Sequence, residues 1–246
     1  MHLRPTPRLM VVTPGNAAEP CRGCDARALS VCSVIEDKDL CRLASLTHVE
    51  AVEPGREFIT EGDPADDFFN ITAGTAKLFK MLADGRRQIT GFAQIGHFLG
   101  LAARNRYSFS AEAVDRVRLC RFSRPRLRRL LDDYPAMERR LLDVASNELV
   151  AAQEQMLLLG RKTAVERVAS FLLGQMAHGG LRGGSPRVIH LAMGREDIAD
   201  YLGLTIETVS RSFTRLTGDG AIVRHEAANI EILSLDRLRS LAGEGG

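Results

Sequence analysis

The sequence predicts an α+β chain in consecutive parts: an N-terminal β-roll, one long helix and a C-terminal winged helix-turn-helix. Three observations carry this. From about residue 50 to 122, the short alternating runs "REFIT", "FFNITAG", "TAKLFKM" and "RQITGFAQIG" are separated by "EPG", "EGDP", "AGT" and "ADGR". That is the texture of short antiparallel strands joined by tight turns. After Pro135 the apolar residues recur at helical spacing. Towards the C-terminus two helix-sized segments flank a glycine, and the second carries a polar stripe. The parts divide as an arm (1–49), the roll (50–134), the long helix (135–160) and the winged unit (161–246).

With 45% hydrophobic and 26% charged residues in 246, the chain can bury a sizeable core. No apolar run approaches the roughly 18 residues of a membrane span, and the N-terminus has no secretory-signal pattern. These features predict a cytoplasmic protein without a membrane partner. A net charge of +2 points to no particular class of partner.

Taken in order, residues 1–20 carry prolines at 5, 7, 14 and 20 and read as a flexible tail. "CRGCDARALSVC" (21–32) then holds three of the five cysteines. An odd, clustered set argues against a disulfide framework and for a reducing compartment, where close thiols bind metal or do redox work. "EDKDLCRLASL" predicts a short amphipathic helix with Leu40, Leu43 and Leu46 on its apolar face. Its acidic start suits the helix dipole. In the roll, Gly62, Gly74, Gly85 and Gly96 fall where turns are expected.

In the long helix, Leu142, Ala145, Leu149, Ala152, Met156 and Leu159 recur at spacings of 3, 4, 3, 4 and 3. That is a two-heptad seam. A core helix would show a similar period, but this seam is narrow, uncharged and flanked by Glu148, Gln153 and Glu154. It predicts a homodimer, with the small alanines allowing close approach. "TAVERVASFLLGQMA" predicts a further helix, and "HGGLRGGSPR" a glycine-rich connector.

Residues 194–223 are the most informative. A helix over 195–202 buries Ile198, Ala199 and Leu202, Gly203 makes the turn, and Thr205 caps a second helix. In that helix Ile206, Val209, Phe213 and Leu216 form the expected inner face. Glu207, Ser210, Arg211 and Thr214 form the outer one. Two such helices with a strand pair after Gly220 describe a winged helix-turn-helix. On the outer face an arginine can pair with guanine and a carboxylate can accept from cytosine, although an ordinary solvated face fits the spacing too. From 162 to 246 ten Lys/Arg balance ten Asp/Glu. Phosphate attraction would therefore be local, from residues such as Arg187, Arg195 and Arg215.

Turn-rich roll, long helix and winged helix-turn-helix, together with "LGLTIETVSR", resemble the CRP/FNR superfamily of bacterial transcription regulators over nearly the whole chain. The resemblance implies a β-roll of the cyclic-nucleotide-binding kind and a dimerisation helix. Glu207, Thr208, Ser210 and Arg211 match the E-x-x-S-R motif of the FNR branch. This implies that they bind double-stranded DNA at a TTGAT-N4-ATCAA-type palindrome. The cyclic-AMP branch has an arginine where this chain has Ile206. FNR-branch proteins hold an oxygen-labile [4Fe–4S] cluster with an N-terminal cysteine group and one cysteine from the roll. By that resemblance Cys21, Cys24, Cys32 and Cys120 are the ligands, one thiolate per iron. Seven residues separate Cys24 from Cys32, against five in enteric members; alphaproteobacterial members share the longer loop. Cys41 stands outside the ligand set. Seven arginines and no acid between 116 and 129 would favour an anionic cluster, as would Arg22 and Arg27 in the arm, and a solvated basic face would read the same way.

Other readings of these residues stand beside this one. Four thiolates suit structural zinc, in a protein-binding adaptor, or thiol redox control in a clusterless regulator of the same fold. The cyclic-nucleotide cassette of some relatives uses a glutamate and an Arg-Ser pair. Here "GHFLGLAARNRYSFSAEAV" lacks the glutamate and places Phe109 before Ser110, so no cyclic nucleotide is expected. His97, the one candidate for an axial heme ligand in the roll, reads as a turn histidine. No phosphate loop or nucleophile elbow is present, so no enzymatic activity is expected. By resemblance, RNA polymerase is a partner, and the "ADGRR" turn at 83–87 is one candidate contact.

Overall fold

The computed structural model describes residues 19–101, 105–179, 187–226 and 228–244. Nearly all of the expected tail, and most of the glycine-rich connector, lie outside the described residues. Among these residues eight strands build the roll: β1 (Thr47–Val52), β2 (Glu57–Ile59), β3 (Asp67–Ala73), β4 (Ala76–Met81), β5 (Arg87–Ala93), β6 (Phe98–Leu99), β7 (Ser110–Ala113) and β8 (Val117–Ser123). They form two antiparallel sheets, ordered β1-β8-β3-β6 and β2-β7-β4-β5. Ile59, Phe69, Ile71, Ala76, Tyr107, Ala111, Val117 and Leu119 pack between them. β8 is apolar on both faces because successive side chains alternate. Val117 and Leu119 enter this core, whereas Cys120 and Phe122 face the arm.

The arm is a series of single turns: α1 (Glu19–Arg22), 3-10 turns at Arg27–Leu29, Val31–Val34 and Asp37–Asp39, and α2 (Leu40–Ser45). Leu40 and Leu43 are its anchors, 0% and 2% exposed and worth about 3–6 kcal/mol together. Leu46 is half-buried, as its place on the apolar face predicts. The arm lies directly on the roll. At Gly96 (φ +89°) an added Cβ would stand 2.7 Å from Leu29 Cβ, so a side chain there would push the arm away.

Two helices follow, α3 (Arg124–Asp133) and α4 (Pro135–Arg161). Pro125 and Pro135 occupy their first turns, where a missing N–H costs nothing. α4 has 27 residues and is about 40 Å long. Met137, Leu141 and Val144 pack on the arm. Leu142, Leu149 and Met156 are 63%, 60% and 69% exposed, and Ala145 and Ala152 are also exposed. Leu159, the last residue of the seam, is half-buried and packs against the winged unit.

The winged unit comprises α5 (Ala164–Gly179), β9 (Val188–His190), α6 (Arg195–Leu202), α7 (Ile206–Gly218), β10 (Ile222–Arg224), β11 (Asn229–Ile232) and α8 (Leu235–Leu241). The expected strand pair after Gly220 is β10 and β11, with β9 completing a sheet ordered β10-β11-β9. Its core gathers Val168, Leu172, Ile198, Leu202, Val209, Phe213, Leu216, Ile222, Ile230 and Leu238.

Candidate nucleic-acid interface and cysteine pocket

The helix-turn-helix forms for local reasons. Gly203 takes φ +60°, and its amide bonds back to α6. Thr205 Oγ1 accepts from Thr208 N at 3.2 Å and so caps α7. Along α7, Val209, Phe213 and Leu216 are fully buried, whereas Glu207, Ser210, Arg211 and Thr214 are exposed on one stripe. One expectation fails. Ile206, expected on the inner face, is 45% exposed. It sits in the first turn, where α7 emerges beyond the turn that joins it to α6, so helical period alone misplaces it.

Glu207 is held ionised. Its own backbone amide and the Thr205 hydroxyl keep the carboxyl below its ordinary range, with Arg211 one turn later adding to the effect. The Arg211 guanidinium reaches Thr208 Oγ1 at 3.5 Å, so Thr208 steadies the arginine from the same face. Arg195 is no freely solvated cation: its guanidinium lies 3.4 Å from the Phe213 ring centroid. Burial, and then Arg224, lower its pKa. Arg187 and Arg215 remain exposed for phosphate contact.

The cysteines gather where the arm meets the roll. Cys21, Cys24, Cys32 and Cys120 line one small pocket with Arg27, Leu40, Leu43, Thr47, Asn70 and Phe122. The arm supplies three thiols. β8 supplies the fourth, with Cys120 opposite Val49 of β1 and Asn70 of β3. Ser30 accepts from the Cys32 amide at 3.2 Å and sets the turn that turns Cys32 inward. Burial pushes the Cys32 thiol up to about 12, with Cys21 and Cys24 adding repulsion. Cys120 is likewise pushed up to about 12 by burial and by the three arm cysteines, and Cys21 is raised by burial and Cys24. Thiols that oppose one another's ionisation are suited to a cationic centre that takes them as thiolates and releases their protons.

The pocket fits such a group in a further respect. Asn70 is 1% exposed, and its Oδ1 has no hydrogen-bond partner among the described residues. Nothing in the sequence marked Asn70; only its register opposite Cys120 reveals it. Among the described residues no three Cys, His, Asp or Glu side chains are gathered to hold a single metal ion. Arg27 borders the pocket, bonded to Asp37 Oδ1 and Ile35 O, each at 2.6 Å. Arg22 is exposed and does not line it. Of the arginine run, Arg118 lowers the Cys120 pKa. Arg116 and Arg121 pair with Glu53 and Asp67, and Arg124 is buried over the Phe68 ring. Three of the seven are thus engaged structurally, and Arg126, Arg128 and Arg129 are exposed. Cys41 is exposed.

A β-roll joined by a long helix to a winged helix-turn-helix with an exposed polar stripe defines a class of DNA-binding transcription regulators. The Crp-like helix-turn-helix domain matches residues 166–241, and the cyclic nucleotide-binding domain matches 49–134. The transcriptional activatory protein AadR of Rhodopseudomonas palustris is 44% identical over 200 residues, 81% of this chain and 84% of that protein. The transcriptional activator protein FnrL of Cereibacter sphaeroides is 34% identical over 228 residues, covering 91% and 92%. The solved structure of FixK2 from Bradyrhizobium japonicum has 34% identity and a TM-score of 0.75, covering 81% of this chain and 99% of that one. The chain belongs to the CRP/FNR superfamily, in its FNR-like branch.

Proposed function

We propose that this protein is a cytoplasmic, oxygen-responsive transcription activator that binds a palindromic DNA site as a homodimer, with Cys21, Cys24, Cys32 and Cys120 holding a [4Fe–4S] cluster. The observation that carries the reading is the meeting of these four thiols in one pocket that shares its packing with α4. When bound there, a cluster supplies an oxygen-labile inorganic centre with a soft-ligand requirement that four thiolates meet. The chain's own residues do the rest. Leu40, Leu43 and Phe122 keep water from the thiols, and Arg27 offsets negative charge. Val31, Cys32 and Ile35 press on Met137, Leu141 and Val144 of α4. A seated arm thereby steadies the helix from which Leu142, Ala145, Leu149, Ala152 and Met156 pair with a second copy. Displacement of the arm under oxygen shifts the balance to a weak-binding monomer.

In the dimer the two recognition helices lie about 34 Å apart, one turn of DNA. Glu207, Thr208, Ser210 and Arg211 read base edges. RNA polymerase is the onward partner, met through exposed loops. At the "ADGRR" turn Asp84 and Arg86 form the exposed tip, but Arg87 is taken up inside the molecule by Asp200. We further propose that the roll takes no cyclic nucleotide. Phe69 and Tyr107 fill its interior with Phe109 packed against them, and Ser110 Oγ is engaged by the Glu61 amide at 3.0 Å. His97 is hydrogen-bonded to Gln94.

The deciding experiment is anaerobic purification. The protein should be brown, carry about four iron and four sulfide per chain, and lose both in air together with its DNA affinity. A colourless protein whose affinity follows reversible thiol oxidation would establish the thiol-switch alternative instead. For the reading stripe, Arg211→Ala should weaken binding to the palindrome roughly 5- to 150-fold and relax preference at one guanine. An equal loss on random DNA would reassign Arg211 to phosphate.

A further inference from the structure

α6 has two working faces. Ile198, Ala199 and Leu202 are buried towards the recognition helix. Asp197, Asp200 and Tyr201 turn the other way, onto the β4–β5 hairpin of the roll. Lys77 Nζ stands 3.1 Å from Asp197 Oδ1 and 3.0 Å from Glu112 Oε1. Arg87 Nε donates to Asp200 Oδ2 at 3.2 Å, and its Nη2 lies 3.6 Å from Asp197 Oδ1. The Ile89 amide donates to Asp200 Oδ1 at 3.0 Å, and Gln88 Nε2 donates to the Asp200 carbonyl at 2.5 Å. The Lys77, Asp197 and Asp200 side chains are only 11%, 16% and 17% exposed. Beside them Phe92 of the roll meets Tyr201 at 5.3 Å and Phe171 of α5 at 6.2 Å.

Two carboxylates taken out of water on one short helix are costly unless matched, and here Asp197 Oδ1 and both oxygens of Asp200 have a donor from the roll. The covalent link between α4 and the winged unit is short: α4 ends at Arg161 and α5 begins at Ala164. The end of α4 adds Leu158 in the winged core, Gln155 Nε2 donating to the Tyr201 carbonyl at 3.0 Å and Arg167 Nη2 donating to the Leu159 carbonyl at 2.8 Å. Contacts at the joint alone still allow the winged unit to tilt. A set of directed charge-assisted hydrogen bonds does not. In the posture they set, Glu207, Ser210 and Arg211 stay exposed, so the reading face is clear of the roll.

We propose that Lys77 and Arg87 are positioning residues for DNA recognition. By gripping Asp197 and Asp200 they fix α6, and the recognition helix packed on it, at one angle to the roll and long helix. The distance between the two reading heads of a dimer is then set before DNA is met. The inference rests on the paired reading proposed above, so its test is run without oxygen, where the chain is expected to pair.

The test uses the full-length chain, the expected palindrome, and palindromes with half-sites one base pair closer or further apart. Arg87→Gln should bind the native spacing about tenfold more weakly while losing less than threefold on the altered spacings, so that spacing preference collapses. Sedimentation should show an unchanged dimer, and Arg87→Lys should recover most of the preference. Should Arg87→Gln fail to fold, Asp200→Asn, which keeps its volume and the Ile89 hydrogen bond, carries the same expectation. A dimeric variant that keeps the wild-type spacing preference overturns the clasp. So does an equal loss at every spacing and on random DNA. A wild-type chain that sediments as a monomer on and off DNA overturns the pairing, and the clasp's role in spacing falls with it.

Discussion

Cys120→Ser is expected to leave an anaerobically reconstituted protein with well under half of the roughly four irons per chain of the parent, and to lower its low-oxygen DNA affinity at least tenfold. The expectation follows from topology. Cys120 is the thiol contributed by the roll, so it joins the arm to the rigid part of the molecule. Serine preserves the shape of β8 and the packing of Phe122, which separates loss of a ligand from loss of fold. Cys41→Ser is the control: Cys41 is exposed and does not line the pocket, and that variant should keep full iron and affinity. Iron and sulfide analysis with a visible spectrum reads both. A Cys120→Ser protein with a full complement of iron and sulfide would show that the fourth ligand is elsewhere.

The second large effect is expected at the seam. Leu149 is 60% exposed on α4 and lies mid-way along the apolar row. In a symmetric pair the two copies of this leucine bury each other, worth about 3–6 kcal/mol for the two. Leu149→Glu removes that burial and opposes two like charges. The dimer should weaken by roughly 10²- to 10⁴-fold, and binding to the palindrome should fall with it because each subunit grips one half-site. Since Leu149 makes no core contact within the subunit, thermal unfolding of the isolated chain should barely move. Sedimentation equilibrium measures the first effect and calorimetry the second. A variant that remains dimeric would move the pairing surface off this face of α4.

What could be read in the sequence was what local chemistry decides. Gly203, the Thr205 cap and the Val209–Phe213–Leu216 row specify the helix-turn-helix within a few residues. Thus α6 and α7 lie where they were expected. The apolar row on α4 is a one-dimensional pattern and its exposure was legible for the same reason, except at Leu159, where the adjoining winged unit claims the side chain. Ile206 failed because the end of a helix has neighbours that its period does not know about. The convergence of Cys120 with the arm is a fact of strand register, and only resemblance to a family anticipated it. Asn70 and the charged grip on α6 were invisible. Lys77 stands between Ala76 and Leu78, and Asp197 and Asp200 stand beside Ile198 and Ala199, as polar residues of any half-solvated strand or helix do, and Arg87 even read as part of an exposed turn. Only the docking of the two units brings these charges together.

On α4 the residues that touch the arm and those left for a partner are immediate neighbours: Leu141 beside Leu142, and Val144 beside Ala145. A rod so narrow cannot yield on one side while holding still on the other. Under the pairing and cluster proposed above, damage to one subunit would be felt by its undamaged mate, and the number of working pairs would fall as the square of the intact fraction. Such an arrangement would sharpen the response of gene expression to a gradual chemical insult, with no communication between binding sites required.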